Sequence, residues 1–539
     1  MWTESFSARR SGRGSRRTRR GRSSRKRRSR GRRSSSSSPP GAGRPARPWR
    51  RSESASRENW SKPRSWAQSS PAGRTRRCSG PRPWSSPGSS RRNLAGFFRP
   101  LSPSPPGLLF PSHRGRGGYD GRGSPVHRLP VRGTQTGAGG AGRGTHKEVQ
   151  VGYRYVVIGA GRQGVAAAYD LARQGDAERV MLVDRDAAIA RAGAERLNRL
   201  LGWPVADAAV GDASQPQTLT PLLAKADGLL SAASYRFNLG LARLAIETKT
   251  HMVDLGGHTG VVREQLALDP EARKAEITVV PDCGMGPGMN VTLALAALDL
   301  LDEPEEVRIY DGGIPENPRP PWNYALFFSA EGLVNEYEGE AFFLRGGKVI
   351  PVAALSELEE LEIPLLGRLE AFVTSGGLST MPWTFAGKLR VLENKTLRYP
   401  GHCALLHGLQ ALGMFGRAPV RVGETTFIPR DALIALLDRS LSYPGARDVC
   451  VLHVWARGRK EGRPAEARVQ LVDRYDPETG FRAMEKLTGW HAAVVLALAV
   501  RGEIPPGATP IERALSGERF LAEAPPRGWH ISSSVVFLG

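Results

Sequence analysis

Seven positions carry the clearest chemical signal. They are Gly159, Gly161, Arg162, Gln163 and Gly164 of the run Gly159-Ala-Gly-Arg-Gln-Gly164, and Asp184 and Arg185 about twenty residues on. A β-branched run, Tyr155-Val-Val-Ile158, leads into these glycines, and a helix-compatible stretch, Val165 to Arg173, follows at once. Gly159 suits the tight turn off a strand, Gly161 lets backbone approach a pyrophosphate, and Gly164 lets helix pack against strand. Arg162 and Gln163 lie within the turn, and the start of the following helix presents free N–H groups and partial positive charge to the phosphates. A second strand, Val180-Met-Leu-Val183, ends at Asp184, where a carboxylate accepts hydrogen bonds from an adenosine ribose. A glycine turn of some other α/β protein would share the glycines. It would not need the strand, helix, second strand and acid in this order.

The elements that must position these groups follow from the pattern. Strand and helix alternate from Tyr153, with a long amphipathic helix over 187–201 and further strands at 206–210, 228–233, 251–254 and 277–280. Such alternation predicts a doubly wound, six-stranded parallel Rossmann sheet. Ala232 and Ala233 end the fourth strand, where doubly wound sheets bind their ligands. After Pro287 the pattern changes to strand-like runs at 306–310, 341–344, 348–351, 371–374, 388–396, 448–457 and 467–473, an α+β domain for substrate binding or dimerisation. The apolar run Gly489 to Val500 reads as a late helix returning to the Rossmann domain. The expected fold class is therefore α/β with an added α+β domain. The boundaries are 1–150 for a tail, 151–288 for the dinucleotide domain, 289–484 for the α+β domain and 485–539 for the returning helix and C-terminal tail.

Charge separates the first segment from the rest. The formal charge of +25 suggests a nucleic-acid binder, but residues 1–150 hold 36 Lys+Arg against 5 Asp+Glu, leaving 41 against 47 in 151–539. The Arg/Ser/Gly/Pro-rich segment lacks hydrophobic periodicity and is expected to be a disordered tail. It could be a nucleic-acid-binding arm, a long targeting leader, or upstream sequence translated only through a mis-called start. No methionine lies between Met1 and Met181. Four separated cysteines (Cys78, Cys283, Cys403, Cys450) exclude a CxxC zinc ribbon, point to no metal site and suit a reducing compartment. No apolar run approaches the ~20 residues that span a bilayer. The expectation is a soluble, cytoplasmic protein without membrane partners, with nucleic acid as a partner only if the tail is real.

Further along the chain stand Asp254-Leu-Gly-Gly-His258, Pro281-Asp-Cys-Gly-Met-Gly-Pro-Gly-Met289, Asp311-Gly-Gly-Ile-Pro315, Thr374-Ser-Gly-Gly-Leu-Ser-Thr380 and Thr396-Leu-Arg-Tyr-Pro-Gly-His402. Together with the glycine turn, this ordered set resembles the saccharopine dehydrogenase/reductase family over roughly 153–539, with lysine 6-dehydrogenases the nearest branch. The resemblance implies oxidation of an amine carbon by NAD, with NADP not excluded, on a small amino-acid substrate in a homodimer or higher homo-oligomer. In the lysine branch the ε-amine would leave as ammonia, giving 2-aminoadipate 6-semialdehyde.

That chemistry needs a proton acceptor, because an alkyl ammonium titrates near ~10 and only the neutral amine loses hydride readily. The resemblance suggests His258 as acceptor, with Asp254 orienting it or holding the ammonium. A cap carboxylate and a backbone-bonded imidazole are the plainer readings of the two. Arg398 would bind the substrate carboxylate in bidentate fashion. Thr374, Ser375 and Gly376 would contact substrate or form a tight turn, and Tyr235 would line the nicotinamide site or belong to the core. Asp212 resembles the family's adenine-contacting acid. Asp184 opposes a 2′-phosphate whereas Arg185 could attract one. Saccharopine dehydrogenases and carboxynorspermidine-type reductases remain alternatives within the family. A non-catalytic nucleotide- or nucleic-acid-binding protein is the alternative outside it.

Overall fold

The structure is a computed structural model, and it describes residues 152–539. The expected disordered tail, 1–150, lies outside the described residues.

The first sheet has seven strands in the order β17-β6-β5-β4-β1-β2-β3. They are β1 (Tyr153–Ile158), β2 (Ala177–Asp184), β3 (Ala206–Val210), β4 (Gly228–Ser231), β5 (His251–Asp254), β6 (Thr278–Val280) and the two-residue β17 (Gly507–Ala508). All neighbours run parallel. Reading β3-β2-β1-β4-β5-β6 reproduces the doubly wound order, with a switch point between β1 and β4. The expected sheet of six strands thus gains a seventh from the far end of the chain, a pairing too short to leave a sequence signal. Helix α1 (Arg162–Gln174) follows β1, and its inner face of Val165, Ala166, Ala167, Ala168 and Leu171 is buried. Small residues on that face let a second helix approach closely.

The second sheet is mixed and has nine strands, with the main path β10-β11-β12-β7-β15-β16-β18. Its members are β7 (Glu303–Pro315), β8 (Glu340–Arg345), β9 (Lys348–Ala353), β10 (Glu359–Ile363), β11 (Gly367–Phe372), β12 (Val391–Arg398), β15 (Asp448–Lys460), β16 (Arg463–Arg474) and β18 (Ile531–Phe537). Strands β7 and β12 run parallel at its centre, and β15 pairs antiparallel with β7 along almost its whole length. A separate hairpin, β13 (Val420–Val422) and β14 (Thr425–Phe427), lies outside both sheets. The short helix α2 (Ala330–Glu336) precedes β8.

Helix α3 (Ala483–Val500) is buried at 17 of its 18 positions, which makes it a core helix rather than an amphipathic one. It packs along α1 and against β4, β5 and β15. Gly489 permits the close crossing, because a Cβ there would meet Ala167 N at 2.7 Å and Gln163 O at 2.8 Å. Its first turn is anchored by Asp448 of β15, whose carboxylate accepts from Ala483 N and Met484 N at 2.8 Å each. An anion at a helix N-terminus is electrostatically favoured. Among the described residues α3 is the one helix long and apolar enough to cross a membrane, and 94% of it is buried inside the protein.

The end of the C-terminal segment departs from expectation. It was expected to pack on the Rossmann domain, but its last strand, β18, pairs antiparallel with β16 of the second sheet. The sequence Ile531-Ser-Ser-Ser-Val-Val-Phe537 carries too little alternation to announce an edge strand. Strand β18 carried no signal for that reason; β10, Glu359-Glu-Leu-Glu-Ile363, alternates but is short and acid-rich. The expected strand at 371–374 ends at Phe372, and Val373 instead exchanges hydrogen bonds with Leu355 and Ser356.

Candidate active site

One cavity of about 500 Å³ is framed by the carboxyl ends of the parallel strands, the second sheet and the start of α3. Its Rossmann wall includes Gly161 to Gly164, Ala232 to Tyr235 and Leu255 to Gly257. The opposite wall includes Asp311, Glu336, Thr374, Asn394, Thr396 and Arg398.

The glycine turn has the stereochemistry that the motif requires. Gly159 sits at φ +95°, and a Cβ there would lie 2.7 Å from Ala232 O. A Cβ on Gly164 would lie 1.8 Å from Gly159 O, so any side chain would push helix from strand. At Gly161 a Cβ would meet nothing within 4 Å. That open space sits at the N-cap of α1, which has neither a side-chain cap nor an acid in its first turn. An uncapped helix start facing a cavity fits a dinucleotide pyrophosphate. Asp184 is fixed at the end of β2: Oδ2 accepts from Ala160 N at 3.1 Å and Oδ1 from Asp186 N at 3.0 Å. Arg185 is exposed beside it, and Asp212 accepts from Ser214 N at 2.8 Å. Asp184, Arg185 and Asp212 all stand outside the cavity itself.

The far wall is built by strand periodicity. Asn394, Thr396 and Arg398 alternate along β12, so all three face the cavity. Thr396 pairs in register with Asp311 on β7. The Asp311 carboxylate accepts from Asn394 Nδ2 at 3.1 Å and Asn290 Nδ2 at 2.9 Å. Burial pushes its carboxyl up to about 6 against the pull of these donors and of Arg398. Gly377 makes room, because a Cβ there would sit 1.9 Å from Asn394 Oδ1.

Arg398 is 3% exposed and uses three of its five N–H donors within the protein. Its Nε donates to Tyr337 Oη at 3.1 Å, Nη1 to Leu397 O at 3.0 Å and Nη2 to Glu336 Oε2 at 3.3 Å. The Tyr324 ring lies 4.9 Å from its guanidinium carbon. His402, from the same Thr396–His402 run, stands behind and shares a 2.9 Å hydrogen bond with Tyr337 Oη. Burial and the nearby Arg398 charge lower the His402 imidazole to about 3, so it is a neutral support. Glu336 ends α2, and its carboxyl is pushed up to about 7 by burial, with Arg398 opposing and Asp311 adding to the rise.

The structure brings together Gly161, Arg162, Gln163, Gly164, Ala232, Ala233, Tyr235, Thr374, Ser375, Gly376 and Arg398. Asp254 and His258 are not among the lining residues. Asp254 is 1% exposed, and its oxygens accept from Gly256 N at 2.8 Å, Asp282 N at 3.2 Å and Gln265 Nε2 at 2.7 Å. It therefore fastens the 255–257 loop from below. His258 is an exposed N-cap that accepts from Val261 N at 3.4 Å and stacks on Tyr235 at 5.3 Å. The plainer reading of both residues describes these positions. Ser375 spends its groups on α2: its hydroxyl donates to Asn335 O at 2.7 Å and its N–H to Glu336 O at 2.8 Å. Thr374 Oγ1 is bonded to Thr396 Oγ1 at 2.7 Å. Glu336 carried no signal in sequence. Asn394 could have been found by stepping back in twos from Arg398.

Two family models match consecutive parts of the chain. The saccharopine dehydrogenase NADP binding domain matches residues 155–280, and the saccharopine dehydrogenase C-terminal domain matches 284–524. The mitochondrial α-aminoadipic semialdehyde synthase of Mus musculus is 26% identical over 213 residues, 38% of this chain and 23% of that protein. The saccharopine dehydrogenase [NADP(+), L-glutamate-forming] of Saccharomyces cerevisiae is 28% identical over 149 residues, 26% of this chain and 33% of that protein. The matched stretches thus span about a quarter to a third of these relatives. A solved structure of apo saccharopine dehydrogenase (L-Glu forming) from Saccharomyces cerevisiae shares the fold with a TM-score of 0.58 at 20% identity, over 71% of this chain and all of that one. These matches overturn the lysine 6-dehydrogenase expectation: both matching models and the Saccharomyces cerevisiae relative carry saccharopine dehydrogenase descriptions, and oxidative deamination of the lysine ε-amine is withdrawn.

Proposed function

The chain belongs to the saccharopine dehydrogenase family of NAD(P)-binding oxidoreductases, and from that premise we propose that it oxidatively cleaves the C–N bond of saccharopine or a closely similar secondary amine. One observation supports this most directly. A single cavity joins the uncapped start of α1 to the buried guanidinium of Arg398. A dinucleotide at the first and an amino acid carboxylate at the second would meet in the space between.

When bound, the nicotinamide supplies the acceptor for a hydride. The protein's own groups do the rest. Arg398, held in plane by Tyr337 and Leu397, offers a fixed cation for a substrate carboxylate. Arg162 is the other Lys or Arg along the cavity, and it reaches across the cleft to Leu326 O at 3.3 Å and Phe328 O at 3.4 Å. It is available to a second carboxylate once those weak contacts yield. Tyr235 lines the nicotinamide end, with His258 stacked behind it. A homo-oligomer is part of the reading, and it rests on the family alone.

The test is NAD(P)H formation by the purified full-length chain with saccharopine, lysine, ornithine and carboxynorspermidine in parallel. Turnover with saccharopine, and a fall of about a hundredfold in kcat/KM in Arg398→Ala, or ~3 kcal/mol, supports the reading. A chain that binds dinucleotide and leaves saccharopine untouched overturns it.

A further inference from the structure

We infer that Glu336 takes the proton from the substrate's secondary ammonium, which makes it a catalytic residue of this site. The inference rests on the amine-oxidising function proposed above.

Three carboxylates line the cavity, and their partners separate them. Asp311 is held by two asparagine amides, one on each oxygen. Glu331 is held bidentately by Arg236, at 3.0 and 2.9 Å, at the rim. Glu336 has one side-chain partner, Arg398 at 3.3 Å through Oε2, and the hydrogen bonds described leave Oε1 free. Its side chain is 29% exposed and lines the cavity, whereas that of Arg398 is 3% exposed. The backbone around it is fixed by Ser375, which bonds both Asn335 O and Glu336 O. The carboxylate therefore has a set position, a free lone pair and a view of the substrate space.

Its surroundings suit the task. Arg398 on β12 lowers the Glu336 pKa, Asp311 on β7 raises it, and burial raises it most, to about 7. Tyr337 and Tyr324 flank the same guanidinium, Glu331 lies on the same helix, and Arg162 lines the cavity from α1. A base near neutrality accepts protons efficiently at working pH.

The step balances as follows. Glu336 removes one N–H proton, leaving a neutral amine and a protonated carboxyl. Loss of hydride from the adjacent carbon then forms a C=N bond, and water adds its oxygen to that carbon. The C–N bond breaks with its electron pair going to nitrogen, which departs as a primary ammonium carrying protons that came in with the water. The proton on Glu336 is the one released to solvent in each turnover.

The experiment is the pH profile of kcat/KM for the full-length chain and for Glu336→Gln and Glu336→Asp, with saccharopine as probe and dinucleotide binding followed separately by fluorescence. The parent should lose activity as pH falls below about 7. Glu336→Gln should lose about 10²–10⁴-fold and show no such limb, while still binding dinucleotide. Glu336→Asp should recover part of the rate and restore a limb. Glu336→Gln that keeps the rate within about threefold, or keeps the limb, overturns the assignment while the proposed function stands. A parent that binds dinucleotide but leaves saccharopine unchanged removes both.

Discussion

Asp254 accepts the backbone N–H of Asp282 through Oδ1 at 3.2 Å, so two acids, each 1% exposed, sit side by side beneath the 255–257 loop. Burial, with Asp254 adding to it, pushes the Asp282 carboxyl from its ordinary 3.8 up to about 7. A raised acid favours the folded state fully below its unfolded pKa, and that contribution is lost as pH rises through the folded one. Asp282 also holds φ +60°, a conformation asparagine accepts. Asp282→Asn should therefore stabilise the fold at pH 8 by about 2 kcal/mol, read as a higher melting temperature, with a gain that shrinks toward pH 5. Equal gains at both pH values would contradict this account of the pair.

The glycine turn allows a contrast between two substitutions of the same size. Gly161→Ala should fold with an unchanged melting temperature, because its Cβ enters open space, yet weaken dinucleotide binding by about tenfold or more. Gly164→Ala should destabilise the fold itself, because its Cβ would overlap Gly159 O. Thermal melts with and without dinucleotide separate the two effects.

Cofactor choice should turn on Asp184. Its carboxylate is pinned by Ala160 N and Asp186 N at the end of β2 and cannot swing away from a 2′-phosphate. NAD should bind more tightly than NADP, and Asp184→Ser should narrow or reverse that preference while Arg185 remains. Parallel titrations with both dinucleotides check it. A parent that prefers NADP would show that Arg185 outweighs Asp184.

Arg527 and Asp170 form a buried bidentate pair, 2% and 4% exposed, with Nη2–Oδ2 at 2.8 Å, which ties the C-terminal segment to α1. Arg527→Met alone would strand a buried carboxylate and should cost about 3–5 kcal/mol in urea denaturation. Adding Asp170→Asn should recover much of that loss. A single substitution without cost would show that the pair is replaceable.

The nucleotide half of the site was legible because its chemistry is local: a strand, three glycines, a helix and an acid lie within thirty-two residues, 153–184. Arg398 was legible only through a motif. The residues around it were not. Asp311 and Asn394 meet because β7 and β12 pair in parallel across about eighty residues of chain, a register no local pattern encodes, and Glu336 joins them from the end of α2. Asp254 and His258 misled for a related reason. Their place at a strand's carboxyl end was correct, but position on the loop does not reveal which side of it a carboxylate faces. The C-terminal segment was half legible. Its apolar run announced a buried helix, whereas β18 needed the edge of β16 to become a strand.

Helix α3 lies between the two sheets and gives its apolar surface to both. Neither sheet therefore owns a complete core. A chain cut before Ala483 would leave α1, β4, β5 and β15 with a bare trough, and two separately expressed halves would each expose the half of that seam the other covers. Heating should show one cooperative transition, not a dinucleotide lobe melting apart from a substrate lobe. Evolutionary shuffling of the glycine-turn lobe onto another partner would have to carry this helix with it.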